Sequence, residues 1–165
     1  MNPTVNTSDH ESNKVTELTS IALVDKKVHR EMMKTVLKEF PKQGFTNMRA
    51  NVENMTAPEE INGYAPDLTC NREDMQQGLV ILEVETCNTM TQEHSEEKWR
   101  AFHEKAKKVT GEFHLAVPKF CNGNSGRTLA SQRLERVRIK VDRLWVVNGG
   151  LAAIARRAKT EDSSR

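Results

Sequence analysis

Two glutamates, Glu83 and Glu85, lie at the end of an apolar run, LVIL, at residues 79–82. Side chains alternate along an extended strand, so residues two positions apart point to the same face. An unbroken apolar run is typical of a strand buried on both faces, and both carboxylates would lie at its margin. Asp67 lies in the preceding strand of a hairpin, whose pairing would bring it beside them. The sequence therefore predicts three converging carboxylates.

Such a cluster needs a positive partner, because unpaired carboxylates in a partly buried site cost several kcal/mol. Mg²⁺ fits, since it prefers oxygen ligands, takes one or two protein carboxylates and fills its other positions with water and phosphate oxygens. Beside a basic surface, the ion would polarise a phosphodiester, lower the pKa of an attacking water and stabilise the departing oxygen. The predicted chemistry is phosphodiester hydrolysis with Mg²⁺ or Mn²⁺ as the cofactor.

Each acidic residue also has an ordinary structural explanation. Asp67 follows a proline, and an aspartate there is often only a turn residue. A glutamate at the exposed end of a strand is often paired with a basic residue, for which Arg49 and Arg72 are available. The combination of spacing, strand placement and order favours a site over three unrelated structural roles.

These residues carry a resemblance to a known family. The segment GYAPD, followed sixteen positions later by LEVET, resembles the motif of the PD-(D/E)XK nuclease superfamily. Pro66 and Asp67 correspond to its first half, and Glu83 and Glu85 lie in its second half. The resemblance extends over residues 22–147, where the predicted order of elements is similar to the αβββαβ core of that superfamily. It implies that Asp67 and Glu83 are metal ligands and that DNA is the substrate.

The chain departs from this motif at Glu85, where most members have lysine and a minority of restriction endonucleases have glutamate. Lysine would orient water and neutralise charge, so Glu85 must act as a ligand or base. Lys98 or His94, early in the next predicted helix, could replace the missing lysine. Members often carry an acid on the first helix, which makes Glu31 a further catalytic candidate. His29 could join it, although a histidine buried in the core is the alternative.

Hydrophobic periodicity predicts the elements that must position these residues. Apolar residues recur at every fourth position from Val24 to Phe40, which predicts an amphipathic helix that Pro41 ends. Thr91 is a candidate N-cap of a second helix, and Gly111 ends that helix. Strands are predicted at 44–55, through 68–70, at 79–85, 112–118 and 140–147, with a basic helix at 124–139. The predicted fold is α/β, a restriction endonuclease-like αβββαβ core whose central mixed sheet is flanked by helices.

The length of 165 residues predicts one domain, at residues 21–158. The polar segments 1–20 and 159–165 are predicted to be disordered tails. No signal-peptide core occurs in the first 20 residues, and no stretch approaches the roughly 18 apolar residues of a membrane span. Three cysteines without CxxC spacing predict reduced thiols. Together with the missing signal-peptide core and membrane span, this predicts a cytoplasmic protein with no membrane contact.

The charge is distributed unevenly along the chain. Residues 127–159 carry nine basic and two acidic residues, a balance of +7, whereas the rest of the chain has sixteen basic and twenty-one acidic residues, a balance of −5. Clustered cations gain affinity for DNA by releasing phosphate counterions, although a solvated helix face is the alternative. The predicted DNA-binding residues are Arg127, Arg133, Arg136 and Arg138.

The function expected from these features is a Mg²⁺-dependent endonuclease that hydrolyses DNA. The alternative is a catalytically inactive module that keeps the nuclease fold and binds nucleic acid or a partner protein. Many members of the superfamily act as dimers or within larger assemblies, so a homodimer or larger complex is a further expectation from the resemblance.

Overall fold

The computed structural model describes residues 8–74 and 78–148, and for residues 8–16 it describes the backbone alone. Three α-helices and seven strands make up most of this part of the chain, with short 3-10 helices at Pro41–Gln43 and Thr89–Thr91. In chain order they are α1 (Ser8–Glu39), β1 (Phe45–Ala50), β2 (Leu68–Arg72), β3 (Leu79–Val84), α2 (Glu93–Lys108), β4 (Glu112–Pro118), β5 (Phe120–Cys121), β6 (Asn124–Ser125), α3 (Gly126–Arg136) and β7 (Arg143–Val147).

Five of the strands form one mixed sheet in the order β1-β2-β3-β4-β7. The first three strands pair antiparallel, whereas β3, β4 and β7 run parallel. The prediction of an α/β fold with a central mixed sheet and flanking helices is confirmed. β3 occupies the centre of the sheet, and Val80, Ile81 and Leu82 are completely buried. Burial on both faces explains why this strand begins as an unbroken apolar run.

Alternation along β3 divides the core into two layers. Val80, Leu82 and Val84 pack in the layer of α1, which also contains Met32 and Val36. Ile81 packs in the opposite layer, formed largely by α2 and α3. Because Glu83 and Glu85 follow Ile81 at intervals of two, their side chains project from the face that α2 covers.

The first helix is longer than its periodicity predicts, since it begins at Ser8 rather than Val24 and ends at Glu39, just before Pro41. Residues 8–20, predicted as part of a disordered tail, belong to this helix. Among the side chains of α1 that the structure describes, those near its C-terminal end are packed: Met32 and Val36 are buried, whereas Leu18, Leu23 and Val24 are largely exposed. Within the described part of the chain, no helix combines the length and apolar character needed to cross a membrane.

Several predicted boundaries differ from the structure. The first strand ends at Ala50 rather than continuing to residue 55. Thr91 is not an N-cap, because its hydroxyl donates to the carbonyl of Asn88 at 2.9 Å and Gln92 occupies the cap position of α2. A side-chain cap is present at α3, where Ser125 accepts a hydrogen bond from the backbone N–H of Thr128. The end of the predicted domain, at residues 149–158, and the predicted tail at 159–165 lie outside the described residues.

The prediction of reduced cysteines is wrong for two of the three. Cys87 and Cys121 form a disulfide with a Cα–Cα distance of 5.4 Å, although 34 positions separate them in sequence. The parallel pairing of β3 and β4 brings their following loops to the same end of the sheet, which spacing alone does not reveal. Cys70 is free, and burial raises the pKa of its thiol to about 12. The cytoplasmic expectation therefore loses the support that reduced thiols gave it.

Thiol titration of unfolded, unreduced protein is expected to give one reactive thiol per chain, from Cys70, rising to three after reduction. A Cys70→Ser variant provides the control and should give no thiol before reduction. Three thiols in protein purified without reductant would contradict the Cys87–Cys121 pairing.

Leu82→Ala is expected to lower the free energy of unfolding by about 2–5 kcal/mol, because the side chain is completely buried and its removal leaves a cavity. Leu23→Ala removes the same atoms from a residue that is 63% exposed, and a change within about 0.5 kcal/mol is expected. Denaturant unfolding measures both values. Similar losses in the two variants would contradict the two-layer core.

Candidate active site

Asp67 and Glu83 lie opposite each other where β2 begins and β3 ends. The register pairs Leu68 with Leu82, which places the two acidic residues as the next pair outward. The backbone N–H of Asp67 donates to Glu83 Oε2 at 3.2 Å, and the backbone N–H of Val84 donates to Asp67 Oδ2 at 2.8 Å. These two hydrogen bonds hold Asp67 beside the end of β3. The two predicted metal ligands are therefore neighbours, as expected from the predicted hairpin.

Glu85 lies in the same region but is directed into α2. Its side chain accepts hydrogen bonds from Trp99 Nε1 at 2.8 Å and from Ser95 Oγ at 3.2 Å. Burial raises the pKa of Glu85, while its hydrogen bonds and the Lys98 ammonium oppose that change. Because both carboxylate oxygens already accept hydrogen bonds from α2, Glu85 anchors the start of this helix to β3.

Lys98 provides the positive charge beside Glu83. It projects from α2, and its ammonium directly contacts Glu83 Oε1. Burial raises the pKa of Glu83 well above its ordinary value and the Asp67 carboxylate adds to this effect, whereas Lys98 acts to lower it. Burial acts to lower the pKa of Lys98, but the adjoining carboxylates outweigh it and raise that pKa. Lys98 of α2 therefore places a positive charge beside Glu83, which Glu85 cannot provide.

His29 joins the cluster from α1. Its Nε2 atom lies 3.1 Å from Asp67 Oδ2, and its side chain is 33% exposed. The hydrogen bond to Asp67 raises the pKa of His29, and burial opposes this change. His29 is therefore part of the carboxylate cluster and not a fully buried core histidine, which was the alternative.

Two other sequence-predicted candidates lie away from the cluster. The Glu31 carboxylate pairs with Lys34 Nζ at 2.7 Å and is 41% exposed. A helix turns by about 100° per residue, so Glu31 projects about 200° away from His29 and cannot share its direction. His94 is 66% exposed beside Glu97, so Lys98 is the residue of α2 that reaches the acids.

The basic residues considered as structural partners of the acids are engaged elsewhere. Arg72 binds Glu112 at 2.7 Å and also contacts Asp74, at the end of β2 remote from Asp67. Arg49 lies 3.7 Å from Glu59. Neither arginine neutralises Asp67 or Glu83, so an ordinary arginine pair does not explain the position of these carboxylates.

The predicted DNA-binding arginines have mixed surroundings. Arg133 and Arg136 both contact the carboxylate of Glu96, which joins α3 to the first turn of α2. Arg127 and Arg138 have no ion-pair partner within the described part of the chain. The salt bridges to Glu96 give two of the four arginines a structural role, and they partly neutralise the basic surface that the sequence predicts.

Two carboxylates, Asp67 and Glu83, are the residues of the predicted metal site that the structure brings together. No group of three or more His, Cys, Asp and Glu side chains is arranged to hold a metal ion among the described residues. Mg²⁺ commonly uses one or two protein carboxylates and keeps several waters, so Asp67 and Glu83 have the chemistry that it requires. The Lys98 ammonium contributes a positive charge that compensates Glu83.

His29→Gln is expected to destabilise the protein more in acid than in base. The folded-state pKa of His29 is raised, so its charged contact with Asp67 contributes fully below the unfolded pKa of about 6.5 and is lost as the pH rises through the folded value. Urea unfolding at about pH 5.5 and pH 8.5 measures the difference. His94→Gln, which alters an exposed histidine, is the control; a pH-independent loss in His29→Gln would contradict the assignment.

No protein-family model, curated protein or solved structure matches this chain. Its function is therefore inferred from its own residues and their arrangement.

Proposed function

We propose that the protein is a metal-dependent nuclease that hydrolyses phosphodiester bonds in DNA. We further propose that it belongs to the PD-(D/E)XK superfamily, with the lysine of the motif supplied by α2. The observation that carries this proposal is the convergence of two acids and a lysine, since Asp67 is hydrogen-bonded to Glu83 and Lys98 contacts the same carboxylate. Two acids and one lysine are residue types that metal-dependent phosphodiester hydrolysis can use, and here they come from three different segments of the chain.

Asp67 and Glu83 would hold Mg²⁺ or Mn²⁺. When bound, such an ion polarises the phosphoryl oxygen and lowers the pKa of a bound water. The hydrogen bonds from the backbone N–H groups of Asp67 and Val84 fix the two carboxylates before any ligand arrives. Preorganisation of this kind reduces the reorganisation needed at the moment of reaction.

The remaining residues have distinct roles in this proposal. Lys98 orients the attacking water and offsets negative charge on the phosphate, which is the role that lysine serves in the motif. His29 would hold a proton beside Asp67 and donate it to the departing oxygen, a role favoured by its raised pKa. Glu85 acts as a positioning residue, because its bonds to Ser95 and Trp99 hold the helix that carries Lys98.

A second candidate function is a non-catalytic module that binds nucleic acid or a partner protein. The ion pair between Lys98 and Glu83 favours it, since the ammonium satisfies the carboxylate without metal. Metal titration separates the two functions, because only the nuclease requires that Asp67 and Glu83 bind a divalent cation.

Calorimetric titration with Mn²⁺ is expected to show binding that is lost in Asp67→Ala and Glu83→Ala. The same variants should abolish Mg²⁺-dependent nicking of plasmid DNA. Lys98→Ala should lower the cleavage rate by about a hundredfold or more, comparable to the loss of one transition-state contact. Glu31→Ala, which removes an acid outside the cluster, is the matched control and should cleave normally.

Cleavage that survives both acid substitutions would exclude this site. Absence of a Mn²⁺ signal in the wild type, in protein whose circular dichroism shows a folded chain, would favour the binding module. Equal losses in Lys98→Ala and Glu31→Ala would remove the special role of Lys98.

A further inference from the structure

A cleft of about 880 Å³ lies between α1 and residues 51–55, which follow β1. His29 lines this cleft and also contacts Asp67, so the cleft opens directly beside the candidate active site. The backbone N–H of Asn51 donates to the carbonyl of Asp67 at 3.0 Å. One wall of the cleft is therefore tied to the chain segment that carries the first acid.

The helical wall of the cleft is basic. Lys26, Arg30 and Lys34 line it at intervals of four residues, which places them on one face of α1. Lys34 pairs with Glu31, whereas Lys26 and Arg30 have no ion-pair partner among the side chains that the structure describes. Two cations that form no ion pair within the described part of the chain thus face the cleft within one helical turn of His29.

Charge alone does not define the ligand, because Asp25 and Glu53 also line the cleft. The other lining residues include an apolar group, formed by Met33, Leu37, Val52 and Met55. A volume of about 880 Å³ lies within the range of about 300–1,000 Å³ that is usual for small-molecule sites. The cleft therefore suits a ligand with both an anionic part and an apolar part.

We propose that this cleft binds an unpaired nucleotide of single-stranded DNA, with the base against the apolar residues and its phosphate on Lys26 and Arg30. This inference rests on the proposed nuclease function for the choice of DNA. A duplex keeps its bases paired and stacked and cannot place one in the cleft. An unpaired nucleotide combines an exposed base with a phosphate, which are the groups that single-strand binding sites recognise. The cleft would then guide an unpaired strand past His29 toward Asp67.

The test measures the fluorescence anisotropy of a labelled thymidine oligonucleotide in EDTA, so that binding is separated from metal-dependent cleavage. Wild-type protein should bind the single strand at least tenfold more tightly than a hairpin duplex of the same length. The double variant Lys26→Ala/Arg30→Ala should lose about tenfold or more in affinity, and its salt dependence should fall because phosphate contacts are removed.

A matched control comes from the same helix. Lys27 and Lys38 carry the same charge on α1 but do not line the cleft, so Lys27→Ala/Lys38→Ala should stay within about twofold of the wild type. Val52→Glu places a carboxylate on the apolar wall and should also weaken single-strand binding. Both variants leave the carboxylate cluster unchanged.

Equal affinity for duplex and single strand would overturn the proposal. Equal losses of affinity in Lys26→Ala/Arg30→Ala and Lys27→Ala/Lys38→Ala would overturn it as well. Absence of oligonucleotide binding together with a dimer in sedimentation would assign the cleft to a second copy of the chain, and would overturn it as well. Selective binding in EDTA without any cleavage would support the cleft and reject the nuclease. Cleavage without any preference for single-stranded DNA would support the nuclease and reject the cleft as a nucleotide site.

Discussion

The buried carboxylate of Glu83 is the constraint on which the rest of the site depends. Its side chain is 2% exposed, and a carboxylate removed from water at that depth must be paired or hydrogen-bonded. The partners come from two directions: the backbone N–H of Asp67 belongs to the segment entering β2, and the ammonium of Lys98 belongs to α2. Satisfying one charge therefore fixes the strand pairing and the helix position together.

The two glutamates of LEVET share a face but have different tasks. Glu83 lies beside Asp67 and a lysine, the combination that metal binding and hydrolysis would use. Glu85, two residues further along, is bound by Ser95 and Trp99 and holds the beginning of α2. Glu85 thus has a structural role, and Lys98 reaches Glu83 from the helix that Glu85 anchors.

The loop between β3 and α2 is held by several independent contacts. Thr86 and Thr89 exchange hydrogen bonds between their backbone N–H groups and hydroxyls, at 2.9 and 3.2 Å. The disulfide joins Cys87 to Cys121 in β5. These restraints limit how far the start of α2, and with it Lys98, can move from the sheet. Thr89 also lines the cleft beside His29, so the same loop borders both the acids and the proposed nucleotide site.

The sequence by itself determined the sheet strands and the meeting of Asp67 with Glu83. Both follow from local rules, because alternation has a period of two and a hairpin pairs neighbouring segments. Tertiary structure decided the remainder: it brought His29 and Lys98 to the acids, turned Glu31 away and paired Cys87 with Cys121. These contacts join elements far apart in the chain, and they depend on how each helix is rotated and seated on the sheet, which periodicity in a single segment does not specify.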